Sequence, residues 1–362
     1  MILFAVLVVL LVLLAQYFLS RNSLKHVKED LYPEENVAEP GQIFYLNISL
    51  TNTGRWYLPF LRASLYLPGG IEPQDLEHCE QKSGDSGCTV SYSTWLRPHQ
   101  KMEFRLPVII RERGRYVLSP LTVYGGDFLG LNEQVRRLDR FNEVVIAPKE
   151  SPEQEIEAEL GGFLGESSVN RFLYEDPVLT VGFREYTGRE PMKRISWTQS
   201  AKGHGLMVKN YDYTIEPRVS VLVNADLSDP EEVDVLEGCY SLARTVCRML
   251  EEKRIPYDMT TNAATAGGWD QQDGLAIPQG LGSVHFGRVL ELLGRATHTT
   301  AFSRNTLLNR AIDSRNSCSR ILITAESGIP EQEVLNRLRE ASGGSLLLLT
   351  PRILAGEEEK AG

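Results

Sequence analysis

The strongest constraint in this sequence is a change of hydrophobic period partway along the chain. From Val37 to Ile146 apolar residues recur at every second position. In Phe44-Tyr45-Leu46-Asn47-Ile48-Ser49-Leu50-Thr51 each second residue is aliphatic or Phe, which is the pattern of a half-buried strand. Further strands are predicted at Arg62 to Leu67, Lys101 to Ile110, Tyr116 to Tyr124 and Asn142 to Ala147, divided by Asn-Thr-Gly, Pro-Gly-Gly, Arg-Pro-His and Arg-Gly turns. From Arg218 the texture differs. Val219 to Val223 is a near-continuous β-branched and aliphatic run, as expected of a central parallel strand covered on both faces.

These two textures predict two folding units. The first is a β-sandwich of immunoglobulin type over residues 37–148. The second, over 218–354, is a doubly wound α/β sheet. Its helix is predicted from about Pro230 to Lys253, with Asp229 as cap and Glu232 at the capping-box position. A strand follows at Pro256 to Thr261, then a Gly-rich loop and a helix from Val284 to Leu293. A strand at Arg320 to Thr324, a helix at Pro330 to Ala341 and a strand at Ser345 to Thr350 complete the alternation. Between the units lie an acidic linker, 149–181, and a basic segment, 182–217. Residues 355–362 form a charged tail. Taken whole, the chain is expected to be α+β and multidomain.

Residues Met1 to Leu19 carry no charge and are almost wholly Leu, Val, Ile, Ala and Phe, about 28 Å of helix at 1.5 Å per residue. We read residues 1–20 as an uncleaved transmembrane anchor. Arg21, Lys25 and Lys28 follow the apolar run and nothing basic precedes it, so the soluble domains are expected on the cytoplasmic side. The net charge of −10 over 362 residues argues against a nucleic-acid partner. Five cysteines form no zinc-type spacing; Cys79 and Cys88 are open to a bridge in an oxidising compartment, but the odd total favours free thiols.

The segment Gly182 to Lys209 bears six basic and two acidic residues, +4 in an acidic chain, interleaved with Phe183, Tyr186, Ile195, Trp197, Leu206 and Val208. It is either a clamp paired with acidic groups of the same chain or a docking face; a split is expected, with Trp197, two residues after Arg-Ile, buried and structural and Arg184 partly interfacial. The residues Arg184, Glu185, Tyr186, Arg194, Trp197, Ser200, Ala201 and Lys209 resemble the central signature of a bacterial family known only as domain of unknown function fifty-eight. The turns Leu96-Arg97-Pro98, Arg113-Gly114-Arg115-Tyr116 and Gly126-Asp127-Phe128-Leu129-Gly130 extend the resemblance into the sandwich. The sequence departs from the family at Ser196 and Arg189, and in having one hydrophobic helix where two are usual.

The resemblance implies a MoxR-type AAA+ ATPase as partner and a role in assembling or activating an unknown client protein. It also implies a second unit similar to von Willebrand factor A-type domains, in which an Asp-x-Ser-x-Ser loop at a strand end offers oxygens to Mg²⁺. Here the matching positions are Asn224, Asp226 and Ser228; in the other register they are Asp226, Ser228 and Pro230. Both sets are degraded, so no cofactor is expected and any Mg²⁺ site is degenerate; the same loop equally suits capping of the next helix. No Walker A, GxSxG or HExxH motif occurs, and no two of the six histidines stand at helical ligand spacing. His204, Asp270 and Asp273 sit in Gly-rich loops and read as turn or solvated residues. The first functional expectation is therefore a membrane-anchored, non-enzymatic interaction protein, with Arg184, Glu185, Tyr186, Arg194, Trp197 and Lys209 as its partner-binding set. The alternative is a metal-dependent envelope enzyme acting at the Asp226 loop.

Overall fold

The computed structural model describes Phe4, Leu7 and residues 24–362, except 76, 82–86, 127–132, 139, 172–179, 189, 204, 212–217, 228–232, 268–275, 315–317, 344 and 352–362. The expected membrane helix thus lies almost wholly outside the described residues. Among those described, no helix is long and apolar enough to cross a membrane.

The chain divides into two compact units. The first is built from β1 (Val27–Pro33), β2 (Val37–Ala38), β3 (Ile43–Asn52), β4 (Leu58–Leu67), β5 (Ile71–Pro73), β6 (Cys79–Gln81), β7 (Cys88–Leu96), β8 (Lys101–Ile110), β9 (Gly114–Leu118), β10 (Thr122–Gly126), β11 (Glu133–Arg137) and β12 (Asn142–Ile146). A sheet of order β1-β3-β8-β5 and a sheet of order β11-β10-β4-β7-β6 bury a common core, with β2-β12-β9 as a third, smaller sheet. The period of two does what the sequence asks: Leu46, Ile48 and Leu50 of β3 point inward opposite Leu106, Phe104 and Met102 of β8. Each such aliphatic side chain contributes roughly 1.5–3 kcal/mol by leaving water.

The sandwich begins ten residues earlier than expected, because β1 pairs with β3 from Val27 onward. Its alternation is hidden in the sequence by Glu29, which takes an inward position between Val27 and Leu31 and pairs there with Arg136. The segment read as one strand from Tyr116 to Tyr124 is two, β9 and β10, broken at Ser119-Pro120. The expectation of free thiols fails at Cys88, which is disulfide-bonded; Cys239, Cys247 and Cys318 are free.

By its contacts the first unit also includes Ala266–Gly268 and Leu290–Ala296, far along the chain. Arginines hold these pieces. Arg113 donates to Leu293 O at 2.7 Å and Ala296 O at 2.5 Å, satisfying carbonyls at the end of a helix. Arg295, 7% exposed, binds Glu143 at 2.5 Å and Glu291 at 3.0 Å, and Arg115 approaches the same Glu143 at 2.5 Å. Burial alone would raise the Glu143 carboxyl, but the hydrogen bonds from Arg295 and Arg115 hold it below its ordinary value.

The second unit contains α1 (Glu153–Arg171), β13 (Thr180–Glu185), α2 (Trp197–Ser200), β14 (Met207–Tyr211), β15 (Val219–Val223), α3 (Val233–Glu252), β16 (Tyr257–Thr261), β17 (Ala263–Thr265) and β18 (Ala276–Gly280). It goes on through α4 (Ser283–Arg295) and β19 (Ala296–Thr300), of which Leu290–Ala296 belong to the first unit, then α5 (Arg304–Asp313), β20 (Ser319–Ile323), α6 (Gln332–Ala341) and β21 (Leu346–Leu349). The main sheet has the order β18-β16-β15-β20-β21; β15, β16, β20 and β21 run parallel and β18 antiparallel at one edge. Leu222 and Leu322 pack with Leu308 and Ala311 of α5 and Leu338 of α6, while α3 packs on β15 and β20. The expected linker over 149–181 carries a 19-residue helix, α1. Its acidic composition masks Ile156, Leu160 and Phe163, which share one helical face and are all buried, and α1 packs against α3 and β21.

Arg295→Met keeps the aliphatic stem and leaves Glu143 and Glu291 without this partner. We expect a loss of about 2–3 kcal/mol at neutral pH, below the full cost of stranding a buried charge because both carboxylates keep about a third of their surface in water. Because the folded Glu143 carboxyl is lowered, its contribution exists above the unfolded value and vanishes as pH falls through the folded one. The deficit of the variant should therefore narrow in acid. Denaturant unfolding of both proteins at neutral and acid pH measures it.

Candidate functional site

The strand order reverses between β15 and β20, since the chain leaves β15 toward β16 on one side and returns to β20 on the other. In such sheets the crevice at the carboxyl ends of the strands is where ligands bind. Three buried polar residues stand there, each just beyond a strand: Asn224 after β15, Asn262 after β16 and Thr324 after β20.

Their side chains bind one another. Asn224 Nδ2 donates to Thr324 Oγ1 at 2.9 Å and to Gly328 O at 3.5 Å. Asn224 Oδ1 accepts from Asn262 Nδ2 at 3.0 Å and from the Asp226 N–H at 3.2 Å. Asn262 Oδ1 in turn accepts from the Ala225 N–H at 2.7 Å. Gly328 closes the arrangement, for a Cβ there would lie 2.4 Å from Thr324 Oγ1 and 2.8 Å from Asn224 Nδ2. The side-chain oxygen that a metal would need from Asn224 is already engaged twice.

Asp226 is half-buried, and its Oδ2 accepts from the backbone N–H of Arg304 at 3.5 Å, at the first turn of α5. A carboxylate there meets the positive end of the helix. Ser303 caps the same helix, accepting from the Thr306 N–H. Ser228 and Pro230 lie outside the described residues, as do His204, Asp270 and Asp273. Among the described residues, no group of three or more His, Cys, Asp or Glu side chains converges as a metal site.

The basic segment forms a β13-β14 hairpin in which Phe183 pairs with Lys209, Arg184 with Val208 and Glu185 with Met207. Ile195 bridges to the other edge of Val208, and both of these aliphatic residues are buried. Tyr186 is half-buried, its N–H donating to Leu206 O at 2.7 Å. Ser200 ties the short helix α2 to the hairpin: its hydroxyl donates to Ser196 O and accepts from the Met207 N–H, both at 2.9 Å.

Arg184 reaches Glu190 Oε1 at 2.5 Å, and Thr187 donates to the same carboxylate through N–H and hydroxyl. Burial alone would raise the Glu190 carboxyl; the hydrogen bonds from Thr187 and Arg184 outweigh it and lower it to about 2. Arg184 nevertheless keeps 48% of its side chain exposed, and Glu185 is exposed. Arg194 and Lys209 are half-buried. The placement of Trp197 corrects an expectation. An aromatic residue two positions after Arg-Ile reads as core, yet Trp197 opens α2 at 62% exposure, because Ile195 and Val208 already fill the inner position.

The fold and site together define a mixed α/β protein with a β-sandwich unit and a parallel-sheet unit, whose strand-end crevice is closed by a buried amide network. No family model and no curated protein matches the sequence. Among solved structures, AvmM, described as catalysing macrocyclization in alchivemycin A biosynthesis, is 12% identical and covers 35% of this chain and 90% of its own at a TM-score of 0.23. A fragment of Escherichia coli alpha-2-macroglobulin is 16% identical over 34% of this chain and 17% of that one, with a TM-score of 0.25. A cohesin module from a Clostridium perfringens family 33 glycoside hydrolase is 12% identical over 33% and 95%, with a TM-score of 0.22. At these TM-scores none of the three bears on what the chain does.

Because Asn224 Oδ1 is occupied, titration calorimetry of the full chain should show no saturable Mg²⁺ binding at sub-millimolar concentrations. A micromolar site abolished by Asp226→Ala would overturn this. Asn224→Ala leaves the buried Asn262 amide and Thr324 hydroxyl short of partners, and should cost about 1–3 kcal/mol in denaturant unfolding.

Proposed function

We propose that the chain is a membrane-anchored, non-enzymatic interaction protein that works with a MoxR-type AAA+ ATPase in the assembly or activation of other proteins. In this reading the sandwich is immunoglobulin-like, the parallel-sheet unit is von Willebrand factor A-like, and the β13-β14 hairpin with α2 is the docking face. The observation that carries it is exposure. Trp197 at 62%, Met192 at 68% and Leu206 at 46% stand on a segment of net charge +4 in an acidic chain, and Arg184 of the same segment keeps 48% of its side chain exposed. Exposed aromatic and arginine side chains of this kind are the usual anchors of protein interfaces.

The test is thermal melting and pull-down with a purified MoxR-type ATPase on the same variants. Trp197→Ala removes an exposed side chain and should leave the melting temperature nearly unchanged while weakening binding by about 2 kcal/mol or more. Arg184→Ala should behave alike in direction. Early melting of both variants, or unchanged binding, would refute the docking face.

The soluble units are assigned to the cytoplasmic side by Arg21, Lys25 and Lys28, which follow the apolar run. The Cys88 disulfide pulls the other way, since such bonds persist in oxidising compartments. We weight the charge flank, because it acts on insertion itself, whereas a disulfide opens or closes with the thiol poise around it. A C-terminal alkaline phosphatase fusion should be inactive; strong activity would reverse the orientation.

A further inference from the structure

The start of the sandwich carries a group of aromatic side chains that its own core does not use. Trp56 is 71% exposed, Tyr57 39% and Trp95 44%, all in or beside the β3-β4 and β7-β8 turns. Tyr57 and Trp95 have ring centroids 5.9 Å apart, and the Arg97 guanidinium lies 5.5 Å from the Trp95 ring. A buried amide holds the group together: Asn52, 1% exposed, donates to Trp56 O at 2.8 Å and Arg97 O at 3.0 Å, and accepts from the Gly54 N–H at 2.9 Å. The aromatic turn is therefore fixed on the sandwich.

The same turn lies against the point where the chain comes in from the apolar stretch. Thr53 donates to His26 O through its N–H at 2.8 Å and its hydroxyl at 2.7 Å. Gly54 passes so close that a Cβ there would sit 2.9 Å from His26 Cβ. Leu24 is already buried in the sandwich core, and Arg136 donates to Leu24 O at 2.9 Å and also to Val27 O. Only residues 20–23 separate Leu24 from the apolar run ending at Leu19, a reach of roughly 18 Å at full extension.

We propose that this end of the sandwich, through Trp56, Tyr57 and Trp95 with Arg97, sits in the lipid headgroup layer of the membrane that holds residues 1–19. The proposal rests on reading that stretch as a membrane anchor. Trp and Tyr are the side chains that favour this layer, their rings toward the acyl boundary and their polar atoms toward water. An arginine over the ring faces phosphate. Lys28, Lys101, Arg136, Arg137 and Arg140 outnumber Glu29 and Asp30 in a groove beside the same strand start and add attraction to anionic headgroups.

The test uses the full chain reconstituted in phosphatidylcholine and phosphatidylglycerol vesicles containing lipids brominated near the headgroup end of the acyl chain. Wild-type tryptophan emission should be quenched. Trp56→Phe/Trp95→Phe should lose most of the quenched fraction, and Trp56→Phe alone part of it, while Trp197→Phe retains it. No quenching in wild type, or equal quenching in the double variant, in chains that resist an alkaline carbonate wash would overturn the proposal and leave the anchor standing. Release of the chain by that wash would overturn the anchor, and the proposal with it.

Discussion

The amide of Asn224 fixes three strand ends at once. A parallel sheet has no hairpins to set the positions of its loops, so the carboxyl ends of β15, β16 and β20 need a separate device to hold them in register. Asn224, Asn262 and Thr324 supply it through hydrogen bonds made in the absence of competing water. Gly328 is required because the network leaves no room for a side chain. The same bonds decide the chemistry of the crevice. A carboxylate in place of this amide would set an acceptor against Gly328 O and force the Thr324 hydroxyl to turn and donate, so the residue that organises the loop is also the one that takes a ligand oxygen away.

Much of the fold is legible because burial on one or both faces writes its period into the sequence. Val219 to Val223 is apolar at every position but Ser220 because every one of its side chains is covered, and β3 alternates because one face meets the core. Legibility fails where a polar group takes an inward position. Glu29 hides β1, and the glutamates of α1 conceal the face made by Ile156, Leu160 and Phe163. Arg320 takes an inward position at the start of β20 without hiding that strand, fully buried yet satisfied by Ser342, Ser314 and Ala311 O at the ends of α5 and α6.

The arginines of the turn Arg113-Gly114-Arg115 show a second limit. Local chemistry marks the turn through its glycine, but the partners of Arg113 stand 180 and 183 positions away and no pattern within the turn announces them. A guanidinium presents several donors in a fixed fork, so it can close a helix end or share a carboxylate wherever the fold brings one. The Glu150 carboxylate, bound by Arg244 and Arg248 of α3, is another such long-range use of an acidic residue that reads in sequence as linker composition.

The signature hairpin is where both limits meet. Its motif joins an arginine, an aliphatic residue and an aromatic residue in close succession, and sequence reasoning gives the core to the largest of them. Space decides otherwise. Val208 lies between Arg184 on one side and Ile195 on the other, and Ile195 and Val208 are both buried there. Trp197 is displaced to the first position of α2, where the bonds from Ser200 to Ser196 O and Met207 N hold the helix against the hairpin. A short helix so fixed presents its exposed tryptophan at little further cost in conformational entropy. If the hairpin docks a partner as proposed, that preorganisation favours Trp197 as its anchor.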